Sequence, residues 1–151
     1  MTAPAAASLE LVERYVYDVV ETSEVKDGDT YVQLLEREIG FHQVWRGRME
    51  IRLDYADTPE KSKGSPHERS VAKQAQAVAA EWLRSGQRLN VRTRKPRPDR
   101  PPLPDGGFGR WLGDIWDADS GEHLADHLRR LGLASVWPTR WRDEFDQEPQ
   151  P

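Results

Sequence analysis

Between Arg48 and Tyr55 apolar and polar residues alternate without a break. Met49, Ile51, Leu53 and Tyr55 fall on one side, and Arg48, Glu50, Arg52 and Asp54 on the other. A period of two is that of an extended strand, and a strand that is apolar on one side only belongs in a sheet with one face on a core and one on water. Leu89, Val91 and Thr93 repeat the pattern against Arg88, Asn90, Arg92 and Arg94. A chain of 151 residues is about one domain's worth, and 36% hydrophobic content can fill a single modest core. Without cysteine, neither disulfides nor thiolate metal sites can hold that core together. No apolar run approaches the roughly 18 residues of a membrane-spanning helix.

The remaining elements follow from local chemistry. Leu9 to Val20 and Thr30 to Leu35 are rich in Val, Tyr and Leu, and the Asp27-Gly28-Asp29 segment between them suits a tight antiparallel reversal. Asp57-Thr58-Pro59-Glu60 ends the alternating strand, because proline cannot donate to a ladder. Ser65-Pro66-His67-Glu68 combines an N-cap serine, a first-turn proline and a glutamate placed to reach back to the cap, which predicts a helix from here towards Gly86. Its apolar face is Val71, Ala75, Val78 and Trp82, flanked by Ala72, Ala79 and Leu83. The five prolines between Pro96 and Pro104 predict a surface loop, Arg110 to Trp116 a strand, and Glu122 to Leu131 a second helix with Leu124, Leu128 and Leu131 inward. The order predicts an α+β, mainly β protein: strands closing into a small barrel with about two packed helices, the five-stranded Greek-key, oligonucleotide-binding (OB) type being one member of that class. Residues 1–10 are expected to be flexible, residues 11–138 to form the domain, and the acidic, proline-ended residues 139–151 to fray.

The net charge of -4 hides a segregation. Arg84 to Arg100 carries +6 and the rest of the chain -10. A basic stretch of this kind is either a solvated strand and loop or a strip that tracks phosphates. The acids at the ends of two strands, with Arg52 five positions before Asp57, can converge at one barrel rim. His123 and His127 stand one helical turn apart and could pair on a metal, although exposed helix histidines beside Glu122 and Asp126 are the commoner arrangement.

Asp27-Gly28-Asp29-Thr30, Arg52-Leu53, Asp57-Thr58-Pro59-Glu60, Phe108-Gly109-Arg110 and Gly132-Leu133-Ala134 stand in that order. In these motifs the chain, from about Val25 to Trp137, resembles the thermonuclease, or staphylococcal nuclease-like, family. The resemblance implies an OB-fold barrel and a calcium-dependent phosphodiesterase that cuts DNA and RNA with little sequence preference. It implies that Asp29 and Asp57 hold calcium with the Thr58 carbonyl, that Glu60 activates water, and that Arg52 and Arg110 grip the phosphate. Arg92, Arg94, Lys95 and Trp137 are weaker candidates for nucleic-acid contact, the basic residues through phosphate attraction and Trp137 through stacking. Phe108 stands where many relatives have tyrosine, so a hydroxyl able to touch phosphate is lost. A barrel of the same family that binds nucleic acid or protein without cutting is the alternative. A monomer is expected, without membrane association. The absence of a basic, apolar leader at the start points to the cytoplasm, or the host-cell cytoplasm if the source is a virus.

Overall fold

The computed structural model describes residues 14–94 and 111–136. Five strands and two helices follow in the order β1 (Arg14–Asp27), β2 (Thr30–Gly40), β3 (Gln43–Leu53), α1 (Pro66–Leu83), β4 (Leu89–Arg94), β5 (Trp111–Asp117) and α2 (Leu124–Arg130). The strands close into one barrel in the order β1-β2-β3-β5-β4, an OB-like arrangement. All neighbours are antiparallel except β3 and β5, which pair in parallel over Ile51–Leu53 and Trp111–Gly113 and so close the ring.

Closure depends on β1 serving two neighbours. Its first residues, Arg14 to Asp18, pair with β4, and Asp18 to Asp27 pair with β2. Register shifts between Val19 and Glu21, Thr22 and Glu24, and Val25 and Asp27 bend the strand, as extra residues in a ladder do. At the closing seam, a Cβ on Gly113 would lie 2.5 Å from Ile51 Cγ2 and 2.8 Å from Val91 Cγ2, so only glycine lets β5 approach the interior there.

The alternating strands point inward as their pattern requires. Tyr31, Leu35, Ile51, Leu53, Val91 and Ile115 are fully buried, and Ala75, Ala79 and Trp82 of α1 with Leu124 and Leu128 of α2 complete the core. The capping box of α1 is formed: Ser65 Oγ accepts from the Glu68 amide at 3.1 Å, and Glu68 Oε1 accepts from the Ser65 amide at 3.0 Å. That amide bond, the Ser65 hydroxyl and the nearby His67 hold the Glu68 carboxyl below its ordinary pKa. No helix among the described residues is long and apolar enough to cross a membrane.

Several expected boundaries move. The strand expected over Leu9 to Val20 is observed from Arg14 and runs on to Asp27, and β2 continues past Leu35 to Gly40. β3 begins at Gln43 and stops at Leu53, so Tyr55 is not a core residue; it is half exposed with a left-handed φ of 71°. Asp54 takes a buried place through its charge partner, described below. The second helix starts at Leu124, not Glu122, because His123 is extended at its N-cap and its backbone bridges to Trp116, and it ends at Arg130, so Leu131, expected inward, is exposed at the C-cap. The expectations for residues 1–10, for the proline-rich loop and for residues 139–151 lie outside the described residues.

Candidate functional site

The reversal from β1 to β2 is a two-residue loop, Gly28 and Asp29, with Asp27 paired to Thr30. Neither loop residue takes a positive φ. Gly28 is needed for contact: an added Cβ would lie 2.7 Å from Ala75 Cβ on α1 and 2.9 Å from Thr58 Cγ2. The absence of a side chain therefore lets α1 and the Thr58 segment close over this loop. Tyr31 anchors it from below by donating its hydroxyl to the Gly28 carbonyl. Burial, reinforced by the neighbouring Asp29 charge, pushes the Tyr31 hydroxyl well above its ordinary pKa, so it stays a neutral donor.

Thr30 faces Arg52 across the β2–β3 ladder, which brings Asp29 to the end of β3. The Leu53 amide donates to the Asp29 carbonyl at 2.8 Å. Arg52 is only 5% exposed. Its Nη1 donates to the carbonyls of Leu53 at 2.5 Å and Ala56 at 2.9 Å, and its Nη2 donates to Asp57 Oδ1 at 3.0 Å. The same Nη2 lies 3.5 Å from Asp29 Oδ2. That oxygen also accepts the Thr58 amide at 3.0 Å, while Asp29 Oδ1 accepts the Thr30 hydroxyl at 3.2 Å. One guanidinium thus wraps the Leu53–Asp57 turn and joins two carboxylates that are 28 residues apart in the chain. Asp57 is fixed on its other side by a two-bond backbone bridge to Ser135, both bonds 2.9 Å long, so the Gly132-Leu133-Ala134 segment delivers its successor to the site.

Asp29, Arg52, Asp57 and Thr58 therefore meet as a cluster. Glu60 stands on the exposed side of the same loop, where its carboxylate pairs with Lys63 at 3.2 Å. Arg110, Lys95 and Trp137 lie outside the described residues, as do Phe108 and Gly109. Arg94 is committed elsewhere: its Nε and Nη2 make a two-pronged bond to Asp54, at 2.7 and 3.0 Å. Burial pulls the Arg94 pKa down, but the hydrogen bonds and charge of Asp54 outweigh it and leave the guanidinium firmly protonated. Arg92 is exposed, with its guanidinium carbon 5.7 Å from the centre of the Trp116 ring.

The Asp54–Arg94 pair was missed in the sequence. The only available sign was an acid and a base at outward parity on two strands, with nothing to show that they are neighbours. The possible His123–His127 metal pair is not formed. His123 Nδ1 lies 2.8 Å from Asp114 Oδ1 on β5, whereas His127 lies 3.5 Å from Glu122 Oε2 beside Trp82. The His127 amide does donate to the His123 carbonyl at 3.0 Å, but the two rings are taken by acids on different elements. Among the described residues no group of three or more His, Asp or Glu side chains is placed to hold a metal ion.

Asp57 and Thr58 also line a groove of about 290 Å³, together with Pro59, Val71 of α1 and the Gly132–Ser135 segment. A smaller hollow of about 200 Å³ lies between Tyr55, His123 and Arg129. Comparison of the chain with protein-family models and with curated proteins gives no match.

Proposed function

We propose that this protein is a calcium-dependent nuclease of the thermonuclease type, hydrolysing phosphodiester bonds of DNA and RNA at the Asp29–Arg52–Asp57 cluster. The observation that carries this reading is the shared guanidinium. Two carboxylates are brought together at a barrel rim, with Arg52 Nη2 3.0 Å from Asp57 Oδ1 and 3.5 Å from Asp29 Oδ2. Asp29, Asp57 and the Thr58 carbonyl are hard oxygen donors, the type calcium takes. A cation held by two carboxylates and a carbonyl would keep several of its waters.

When bound, calcium supplies positive charge against the non-bridging oxygens of the phosphate. The chain's own residues do the rest. Arg110 donates to those oxygens, which gain charge as water attacks phosphorus, and Arg52 joins it by exchanging the Nη2 contact with a carboxylate for one with the phosphate. Water forms the new P–O bond, its proton passes to Glu60, and the leaving sugar oxygen takes a proton from solvent water as the ester bond breaks.

One observation favours the second reading, a barrel that binds nucleic acid without cutting it: Glu60 is paired to Lys63 on the exposed side of the loop. The two readings separate in a digestion of single-stranded DNA and RNA with calcium or with chelator. Calcium-dependent product formation that is lost in Asp57→Asn supports the nuclease. A gel shift without product supports the binding module, and activity that survives chelation removes the calcium site.

A further inference from the structure

We infer that the tip of the β2–β3 ribbon is the contact surface of a homodimer, in which β3 of one protomer pairs antiparallel with β3 of a second copy. β1 pairs with β2 only as far as Asp18 and Glu36, and β5 pairs with β3 only over Ile51–Leu53. Beyond those points the ribbon runs on alone. Among the described residues β3 has no strand on its outer edge from Gln43 to Glu50. Such an edge is a row of backbone donors and acceptors that a further strand can complete. It carries no proline or lysine to blunt it.

The side chains at the tip are apolar where water would favour polar ones. Ile39, Phe41, Val44 and Trp45 are all exposed, Phe41 to 96%. Phe41 and His42 form the two-residue turn between Gly40 and Gln43, with left-handed φ values of 51° and 61°. Asparagine and glycine take that conformation readily, whereas a bulky ring resists it. Neither the turn nor solvation favours phenylalanine there, which leaves contact with a partner as its use. Trp45 is already in place for such a contact. Its indole lies over its own strand, where a Cβ on Gly47 would come within 2.6 Å of Cζ2, and its ring centre is 5.5 Å from that of Tyr17. An aromatic anchor held in this way loses little freedom on binding.

Charge selects the partner. Glu36 and Glu38 nearly balance Arg37, Arg46 and Arg48, and Arg46 and Arg48 are paired within the protomer to Glu36 and Glu21. A ribbon so nearly neutral gives a polyanion little to hold. It can, however, pair with itself. Opposed residues in a sheet share a face, so antiparallel self-pairing centres on a residue. Centring on Arg46, Gly47 or Arg48 sets arginine opposite arginine; centring on Trp45 sets Trp45 opposite Trp45, Val44 opposite Arg46 and Gln43 opposite Gly47. The Trp45 register is therefore the one assigned. The Thr30–Arg52 pair lies at the other end of the ribbon from Gly40, about 30 Å away at about 3.3 Å per residue, so both Asp29–Arg52–Asp57 clusters stay open in the dimer. The dimer is independent of the nuclease reading.

Sedimentation equilibrium of the full chain, from submicromolar to high micromolar concentration, is the test. Wild type is expected to pass from monomer to dimer over that range. Phe41→Asn, which suits the turn better, is expected to raise the dimer Kd at least about tenfold without lowering the melting midpoint of the monomer. The chain has no cysteine, so Trp45→Cys reports the register: opposed residues are close enough for a disulfide, and the oxidised variant is expected to form a covalent dimer far faster than Leu131→Cys, an equally simple exposed control. Wild type that remains monomeric throughout overturns the proposal, as does a dimer that Phe41→Asn leaves intact. Equal cross-linking of the two cysteine variants overturns the assigned pairing. Monomeric wild type that sediments with phosphatidylcholine vesicles gives the tip to a membrane surface and also overturns the dimer. If Trp45→Cys fails to fold, hydrogen exchange of the Gln43–Gly47 amides replaces it, with slower exchange at the higher concentration expected and concentration-independent exchange overturning the pairing.

Discussion

Replacing Arg52 by Lys keeps the positive charge and removes the fork. In the native site the guanidinium reaches the carbonyls of Leu53 and Ala56 with one nitrogen and Asp57 and Asp29 with another. A lysine ammonium is a single point on a flexible stem and cannot span both sets. It therefore leaves either two carbonyls or two carboxylates without their donor. Each charge-assisted bond is worth about 1.5 kcal/mol at the low end, so the loss of two costs about 3 kcal/mol. Arg52 is 5% exposed, so solvent screening reduces this little. At about 3 °C per kcal/mol for a domain of this size, the melting midpoint falls by about 9 °C. Arg52→Met removes the charge as well and costs about 3–5 kcal/mol, because both carboxylates lose the Arg52 charge. Adding Asp57→Asn to Arg52→Met returns part of that loss, since one of the repelling charges is gone. Thermal melts followed by circular dichroism at pH 7 measure all four proteins. An Arg52→Lys midpoint within about 2 °C of wild type, or an Asp57→Asn change that worsens Arg52→Met, refutes the view that Arg52 organises the site.

Three further outcomes follow from the geometry. Asp54→Ala strands the Arg94 guanidinium and lowers stability by about 3–5 kcal/mol in urea titrations, whereas the Asp54→Leu, Arg94→Met pair recovers most of the loss. Gly28→Ala puts a Cβ 2.7 Å from Ala75 Cβ and costs about 1–3 kcal/mol, with the Asp29–Thr58 bond displaced, which amide shifts of Thr58 report. Glu122 is held below its ordinary carboxyl value of 4.5, first by the Trp82 indole bond and then by Arg130. Its contribution is thus full above pH 4.5 and is lost as pH falls through the lower folded value, so Glu122→Gln flattens the stability–pH curve below pH 4.5 and leaves its shape above that pH unchanged.

What the sequence revealed was whatever short-range chemistry encodes. The alternation at Arg48–Leu53 and Leu89–Thr93 points to inward faces because a strand's side chains must alternate, and the Ser65–Glu68 box specifies a helix start through bonds three residues apart. The β2–β3 turn was invisible for the converse reason. Phe41 and His42 both take left-handed φ values, 51° and 61°, a conformation usually signalled by Asn-Gly or Asp-Gly, and neither residue announces it. Gly28 was placed at the right reversal for the wrong cause: its role is the approach of α1 and Thr58, a tertiary contact that no local pattern contains. The meeting of Asp29, Arg52, Asp57 and Thr58 was foreseen from strand ends and motif order. The Asp54–Arg94 and Asp114–His123 pairs join residues brought together only by barrel closure and helix docking, so their chemistry could not be read in advance.

In the nuclease proposed above, Asp29 and Asp57, joined by Arg52, would form one calcium site at which a phosphodiester becomes labile. Isothermal titration of calcium into wild type, Asp29→Asn and Asp57→Asn, each checked for folding and assayed on the same single-stranded DNA, measures it directly. One calcium site is expected in wild type, lost in both variants together with cleavage. Calcium binding and cleavage that persist in both folded variants would contradict it.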